Sequence, residues 1–232
     1  MTDYKENYFH SGNLKLSWTE WGSGNSDVIV LLHGPTDCAS SWAIAAEYLS
    51  GQYRVIALDS RGHGLSQDAY QDDYGFMNYV RDLGNLINVI CVYDITVVGH
   101  STGGLYAIGY LAATIGNKIS KFIALDVILD SKDMVEEFKP AYKGRECRID
   151  PNSIQVADIP EMWDSWRDIK IPTMLIRGRQ SEFLTHDIAV KMREQLPGCY
   201  LAELEGGGHW FHQEAPGSFY AAVSWFLEMN QQ

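Results

Sequence analysis

The segment ITVVGHSTGGLYAIGYLAATI, residues 95–115, decides the fold. It opens with a short apolar run and closes with a helix-like pattern from 103 to 115. Between them stands Gly99-His100-Ser101-Thr102-Gly103, a G-x-S-x-G sequence on a strand-to-helix junction. A serine on such a tight turn is pushed out of the backbone, and the flanking glycines relieve crowding where strand and helix pack closely. The start of the following helix aims N–H groups at any negative charge that develops beside it.

The same alternation extends in both directions. VIVLLHG (28–34), YRVIALD (53–59), KFIALD (121–126), TMLIRG (173–178) and YLAELEG (200–206) are short, continuous apolar runs. Such runs suit strands buried on both faces of a parallel sheet. Amphipathic stretches at 40–50, 76–91, 103–115, 187–196 and 215–229 lie between them. This order predicts an α/β chain with a doubly wound, mostly parallel sheet. Residues 8–22 read as an antiparallel hairpin in front of it. The whole chain, 1–232, reads as one domain. Residues 127–168 have no strand pattern and mix charge with Phe138, Tyr142, Trp163 and Trp166. They read either as a short helical cap or as a surface excursion.

Composition narrows the function. The 232 residues carry 18 Lys+Arg against 30 Asp+Glu, a formal net charge of −12. A nucleic-acid binder would show a basic face, and an acidic chain is repelled by anionic membranes. No apolar run approaches the ~20 residues needed to span a bilayer. The opening MTDYKENYFHSGN lacks a basic-then-apolar leader, so a cytoplasmic location is the expectation. Cys38, Cys91, Cys147 and Cys199 form no CxxC and are expected to be reduced. GxxxxGK[ST], HExxH and paired CxxC are absent, and no GxGxxG follows the first strand. No cofactor and no metal are therefore expected.

A serine hydroxyl needs a base before it can act as a nucleophile. Of seven histidines, His209 in EGGGHW follows the last strand-like run, and chain order nucleophile, acid, histidine selects it. His212 is the nearby competitor, expected at the surface or in a pocket. His33, His63 and His100 are expected to bond backbone groups around the site. Asp59 and Arg61 are expected to pair with each other, and Asp72 and Asp73 to be solvated. Trp42, Tyr106, Trp163, Trp166, Trp210 and Phe211 fall near site-forming segments and suggest an apolar or ring-bearing small-molecule substrate. Trp210 and Phe211 adjoin His209 and are the expected pocket residues.

Taken together, HG at 33–34, DSRGHGLS at 59–66, GHSTGG at 99–104, IPTMLIRG at 171–178 and GGGH at 206–209 resemble the α/β-hydrolase family, in order and over about three quarters of the chain. The resemblance implies Ser101 as nucleophile, His209 as base and Thr102 as one oxyanion donor. Two positions depart from the common pattern. Where much of the family has an Asp three residues after the Gly of the seventh strand, this chain has Ser181. Some members carry the acid at the end of the sixth strand, which is Asp126 here. The order of preference for the acid is Asp126, then Glu182, then Asp130. The second oxyanion donor usually follows HG, but that residue is Pro35, which has no N–H. Thr36 on a shifted loop is the alternative donor, and His100 and Trp210 are candidate substrate contacts. The resemblance implies a serine hydrolase acting on an ester, thioester or related carbonyl. It also leaves open a cofactor-free dioxygenase that opens quinolone rings, another His/Asp base-catalysed lyase or cyclase, and a non-catalytic small-molecule receptor. A short cap can leave an apolar site mouth that a homodimer would cover.

Overall fold

The computed structural model describes residues 3–70, 73–114, 118–130, 147–154 and 158–230. Its centre is an eight-stranded sheet: β1 (Tyr4–Ser11), β2 (Leu14–Trp21), β3 (Val28–Leu32), β4 (Arg54–Leu58), β5 (Ile95–His100), β6 (Ile119–Leu125), β7 (Thr173–Gly178) and β8 (Tyr200–Leu204). The strand order is β1-β2-β4-β3-β5-β6-β7-β8. β1 pairs antiparallel with β2, and β2 with β4; every later pairing is parallel. The hairpin and the parallel sheet follow the sequence pattern.

Helices cover both faces, which is why the parallel strands read as unbroken apolar runs. On one face Val30, Leu32, Val97 and Phe122 pack with residues of α2 (Phe76–Ile90) and α3 (Thr102–Ala113). On the other, Ile29, Leu31, Val98 and Ile123 pack with α1 (Ala43–Leu49) and α8 (Pro216–Met229). Shorter helices are α4 (Pro151–Ile154), α5 (Trp163–Arg167), α6 (His186–Gln195) and α7 (Phe211–Glu214). Among the described residues no helix is long and apolar enough to cross a membrane.

The sheet turns direction between β3 and β5, since β4 lies beyond one side of β3 and β6 beyond β5. Ligands of open α/β sheets bind past the carboxyl ends of strands at such a point. In-register pairing of Leu32 with Gly99, His100 with Leu125 and Leu125 with Ile176 brings those ends level. The loops after β3, β5, β6 and β7 therefore emerge at one edge.

Three expectations need correction. Cys38 and Cys147 are not reduced: they form a disulfide between residues 109 apart in sequence, with Cα atoms 5.9 Å apart. Only Cys91, exposed, and Cys199, buried, are free. Spacing says nothing about a pair brought together by topology across that distance. Second, Arg61 does not pair with Asp59. It makes a two-pronged ion pair with buried Asp82, at 2.7 and 2.8 Å, because α2 rather than the strand end faces its guanidinium. Asp59 instead accepts from the Ala39 and Leu65 amides and the Ser17 hydroxyl. Third, the end of the 127–168 segment is core: Trp166 is fully buried, and its indole N–H donates to the Met192 carbonyl at 2.8 Å. Residues 131–146 and 155–157, the middle of the expected cap, lie outside the described residues, as does Asp72. Asp73 is exposed as expected.

The glycines of the G-x-S-x-G stretch answer a steric demand. A Cβ on Gly99 would lie 2.5 Å from the Gly104 Cα, and one on Gly103 would lie 2.6 Å from the Leu32 carbonyl oxygen. Both obstacles are backbone and cannot swing aside. Gly99→Ala should lower stability by about 3 kcal/mol, the upper end of ordinary overpacking. Urea unfolding of the variant beside the wild type measures it.

Candidate active site

Ser101 is the residue between β5 and α3, with φ +53° and ψ −124°. A non-glycine residue rarely holds a positive φ, and the flanking structure enforces this one. Its own N–H donates to the Leu125 carbonyl at 2.9 Å, and its carbonyl accepts from the Gly104 N–H at 3.0 Å. The Thr102 and Gly103 amides precede that first intrahelical bond, so they belong to the unpaired N–H set of a helix start.

His209 stands on the loop between β8 and α7 and is almost fully buried. Its Nδ1–H donates to Asp126 Oδ2 at 2.6 Å. That bond leaves Nε2 as the bare lone pair, and among the described residues Nε2 finds no hydrogen-bond partner. The His209 ring lies 4.4 Å from that of His100, the neighbour of Ser101. Asp126 follows β6 directly, at φ +49°, and its N–H donates to the Ile176 carbonyl at 2.9 Å. Ser181, in the position where a carboxylate was expected from resemblance, donates its hydroxyl to Asp126 Oδ2. The serine thus supports the carboxylate that replaces it, a role the sequence did not disclose. Glu182 is exposed and takes no part, and Asp130 lies four residues beyond the contact.

Electrostatics follow from burial. With Asp126 ionised and His209 neutral, the pair carries one buried negative charge. One proton makes it neutral. Burial favours that uptake and pushes Asp126 up to about 7, against the Ser181 hydrogen bond, which favours the ionised form. Burial pushes His209 down to about 3, so a positively charged pair forms only in strong acid. The two groups titrate as a unit.

The loop after β3 forms the other wall. Asp37 N–H closes a turn onto the Gly34 carbonyl at 3.3 Å, with Pro35 and the half-buried Thr36 at its centre. His33 Nδ1–H donates to the Gly34 carbonyl at 2.7 Å, and His33 Nε2 accepts from the Ser60 N–H at 3.0 Å. His63 lies between the carbonyls of Arg61 and Pro35, at 2.9 and 2.8 Å. His100 Nε2–H donates to the His209 carbonyl at 2.9 Å. These three histidines bond backbone groups, as the sequence reading expects. Burial holds His63 down at about 4 and His100 at about 3, so both stay neutral.

His212 is not at the surface. It is fully buried, with its ring 4.5 Å from both Trp42 and His100. Phe211 belongs to the core beside α8 rather than to a pocket, because α7 turns it inward. Trp210 is buried, with its ring edge-on to His209 at 4.9 Å. Phe183 also lies 4.3 Å from the His209 ring, a contact that no sequence motif announces. A cavity of about 660 Å³ borders the Cys38–Cys147 disulfide and is lined by Trp21, Ile44, Leu65 and Arg148 among others. Neither Ser101 nor His209 lines it.

A model of the α/β-hydrolase fold matches residues 27–147. Rv2715 of Mycobacterium tuberculosis (strain ATCC 25618 / H37Rv) is 34% identical over 266 aligned residues, covering 90% of this chain and 77% of its own. The chain belongs to the α/β-hydrolase fold family. Esterase YbfF of Escherichia coli (strain K12) is 24% identical over 241 residues, covering 88% of this chain and 94% of its own. The crystal structure of E-2-(acetamidomethylene)succinate hydrolase superposes with a TM-score of 0.82 at 18% identity, over 97% of this chain and all of that one. The esterase relative supports hydrolase activity on this fold, and the superposed structure shows the fold alone.

The site generates three predictions. Asp126→Asn should lower kcat by about 10⁴-fold, the cost of fixing the wrong histidine tautomer, while exposed Glu182→Gln should stay within about twofold of wild type. Steady-state kinetics on any turned-over ester ranks the two. The pH profile should show kcat/KM falling tenfold per unit below about pH 7, because the active pair is unprotonated and is lost as the pH drops through the raised Asp126 value. Ser181→Ala removes a donor to the ionised carboxylate and should move that limb upward by about one unit. A limb that stays in place would leave Ser181 a packing residue only.

Proposed function

We propose that the protein is a serine hydrolase of carboxylic esters, with Ser101 as nucleophile, His209 as general base and Asp126 as the acid that orients it. The observation that carries the reading is the bare Nε2 of His209, held by a 2.6 Å bond from Nδ1 to buried Asp126, beside the strained Ser101 turn. The likeness over 88% of this chain to a protein named an esterase, YbfF, supports the ester reading.

Ser101 Oγ attacks the ester carbonyl and passes its proton to His209 Nε2. Asp126 stabilises the imidazolium without taking the proton. The Thr102 N–H, with Thr36 in place of Pro35, holds the oxyanion. Collapse of the tetrahedral species expels the alcohol, which receives the proton from His209. Water, deprotonated by His209, then releases the acid and restores Ser101. Phe183 and Trp210 flank His209 with ring surface, which favours a small, apolar or aromatic acyl or alcohol group.

The test is intact-mass analysis after treatment with a small fluorophosphonate. Wild type should gain one adduct, Ser101→Ala none, and ester turnover should fall by about 10⁶-fold in the variant. Folded wild type that takes no adduct would overturn the reading.

A further inference from the structure

Next to the nucleophile, three buried side chains from distant parts of the sequence meet: Asp37, His100 and His212. Each offers one ligand atom, and the three atoms lie within 4.8 Å of one another. Asp37 comes from the loop after β3, His100 from the end of β5, and His212 from α7.

Hydrogen bonding leaves this cluster short of positive charge. His100 Nε2–H is committed to the His209 carbonyl, so Nδ1 is a bare lone pair. Among the described residues that Nδ1 has no hydrogen-bond partner, and neither does His212 Nδ1. Asp37 takes the Cys38 N–H at 3.1 Å and the Gln213 amide at 2.8 Å. No ion pair among the described residues includes it. The Gln213 amide nitrogen also lies 3.2 Å from His212 Nε2, while its Oε1 is buried without a partner. The His100 Nδ1 lone pair, the His212 imidazole and the Asp37 carboxylate converge in a dry site, which calls for a cation.

We propose that Asp37, His100 and His212 form a binding site for one divalent transition-metal ion. Two imidazoles and a carboxylate suit zinc, cobalt or iron(II), whereas calcium and magnesium prefer all-oxygen sets. The His100 Nε2–H bond to a backbone carbonyl is the outer contact that orients a metal-bound histidine. Rotation of the Gln213 amide would turn its buried Oε1 toward the ion. The ion ties the loop after β3 to the strand before Ser101 and to the helix after His209.

The experiment uses untagged, disulfide-intact protein, with two free thiols confirmed by titration. Metal content is measured as purified, and Zn²⁺ and Co²⁺ are titrated into metal-stripped protein. The expected result is one ion per chain, with Co²⁺ giving visible bands but no thiolate charge-transfer band. Asp37→Asn and His212→Gln should each weaken binding at least about tenfold, and exposed His186→Gln should leave it unchanged. Melting of the metal-free variants shows that they fold. Three results would overturn the assignment: no stoichiometric uptake, which would leave only a bridging water; affinity indifferent to both variants; or a thiolate band, which would move the ion to the cysteines.

Discussion

A carboxylate buried as deeply as Asp126 must be neutralised or given donors, and the fold aims two donors at Oδ2 while Oδ1 has no partner among the described residues. The His209 imidazole and the Ser181 hydroxyl both point at Oδ2. Each comes from a different loop at the carboxyl edge of the sheet. If either loop moved, the anion would lose a donor in a place water does not reach. The cost of burying the charge therefore fixes the geometry of the His209 ring. The same burial raises the proton affinity of the pair to a value near neutrality, which suits the general-base role proposed for it.

The second constraint is steric. The Ser101 turn is tight because α3 crosses β5 and β3 at distances that exclude a methyl group, at Gly99 and Gly103. The positive φ of Ser101 follows from that crossing, since the chain must reverse from strand to helix within one residue. Parallel pairing then carries the register outward. His100 aligns with Leu125 and Leu125 with Ile176, so the residues that follow β5 and β6 are level without further adjustment. A strained serine and a positive-φ aspartate, Ser101 and Asp126, thus arise at equivalent places in neighbouring strands.

What was legible in the sequence was what local chemistry writes. Continuous apolar runs marked the strands, and G-x-S-x-G marked the turn at Ser101. The histidine on the last loop and the aspartate ending KFIALD fell where the structure joins them. The missed features depend on packing between segments far apart. Nothing near Cys38 names Cys147, nothing near Arg61 names Asp82, and Phe183 meets His209 only through the course of the loop after β7. His212, expected at the surface or in a pocket, is fully buried, because α7 turns its ring onto Trp42. Ser181 shows a subtler limit: the sequence revealed a missing carboxylate there, but only the fold reveals that the hydroxyl serves its replacement.

The loop from His33 to Cys38 brings these constraints together. With proline after HG, it offers no N–H at that residue, so the proposed hydrolase reading needs the Thr36 donor held in a fixed position. The loop is held at several points. His33 bonds the Ser60 amide, the Pro35 carbonyl meets His63, and the Ala39 amide reaches Asp59. Cys38 is joined covalently to Cys147, and Asp37 is joined through Gln213 to the helix beyond His209. A loop held only at its ends would let Thr36 drift, and an oxyanion donor displaced from its position contributes little. Anchors on both flanks of Thr36, drawn from the strand edge, the segment after residue 146 and α7, confine the loop despite the proline. On the proposed reading, the replacement of a backbone N–H by a ring is accommodated by these cross-links to neighbouring elements rather than by change within the turn itself.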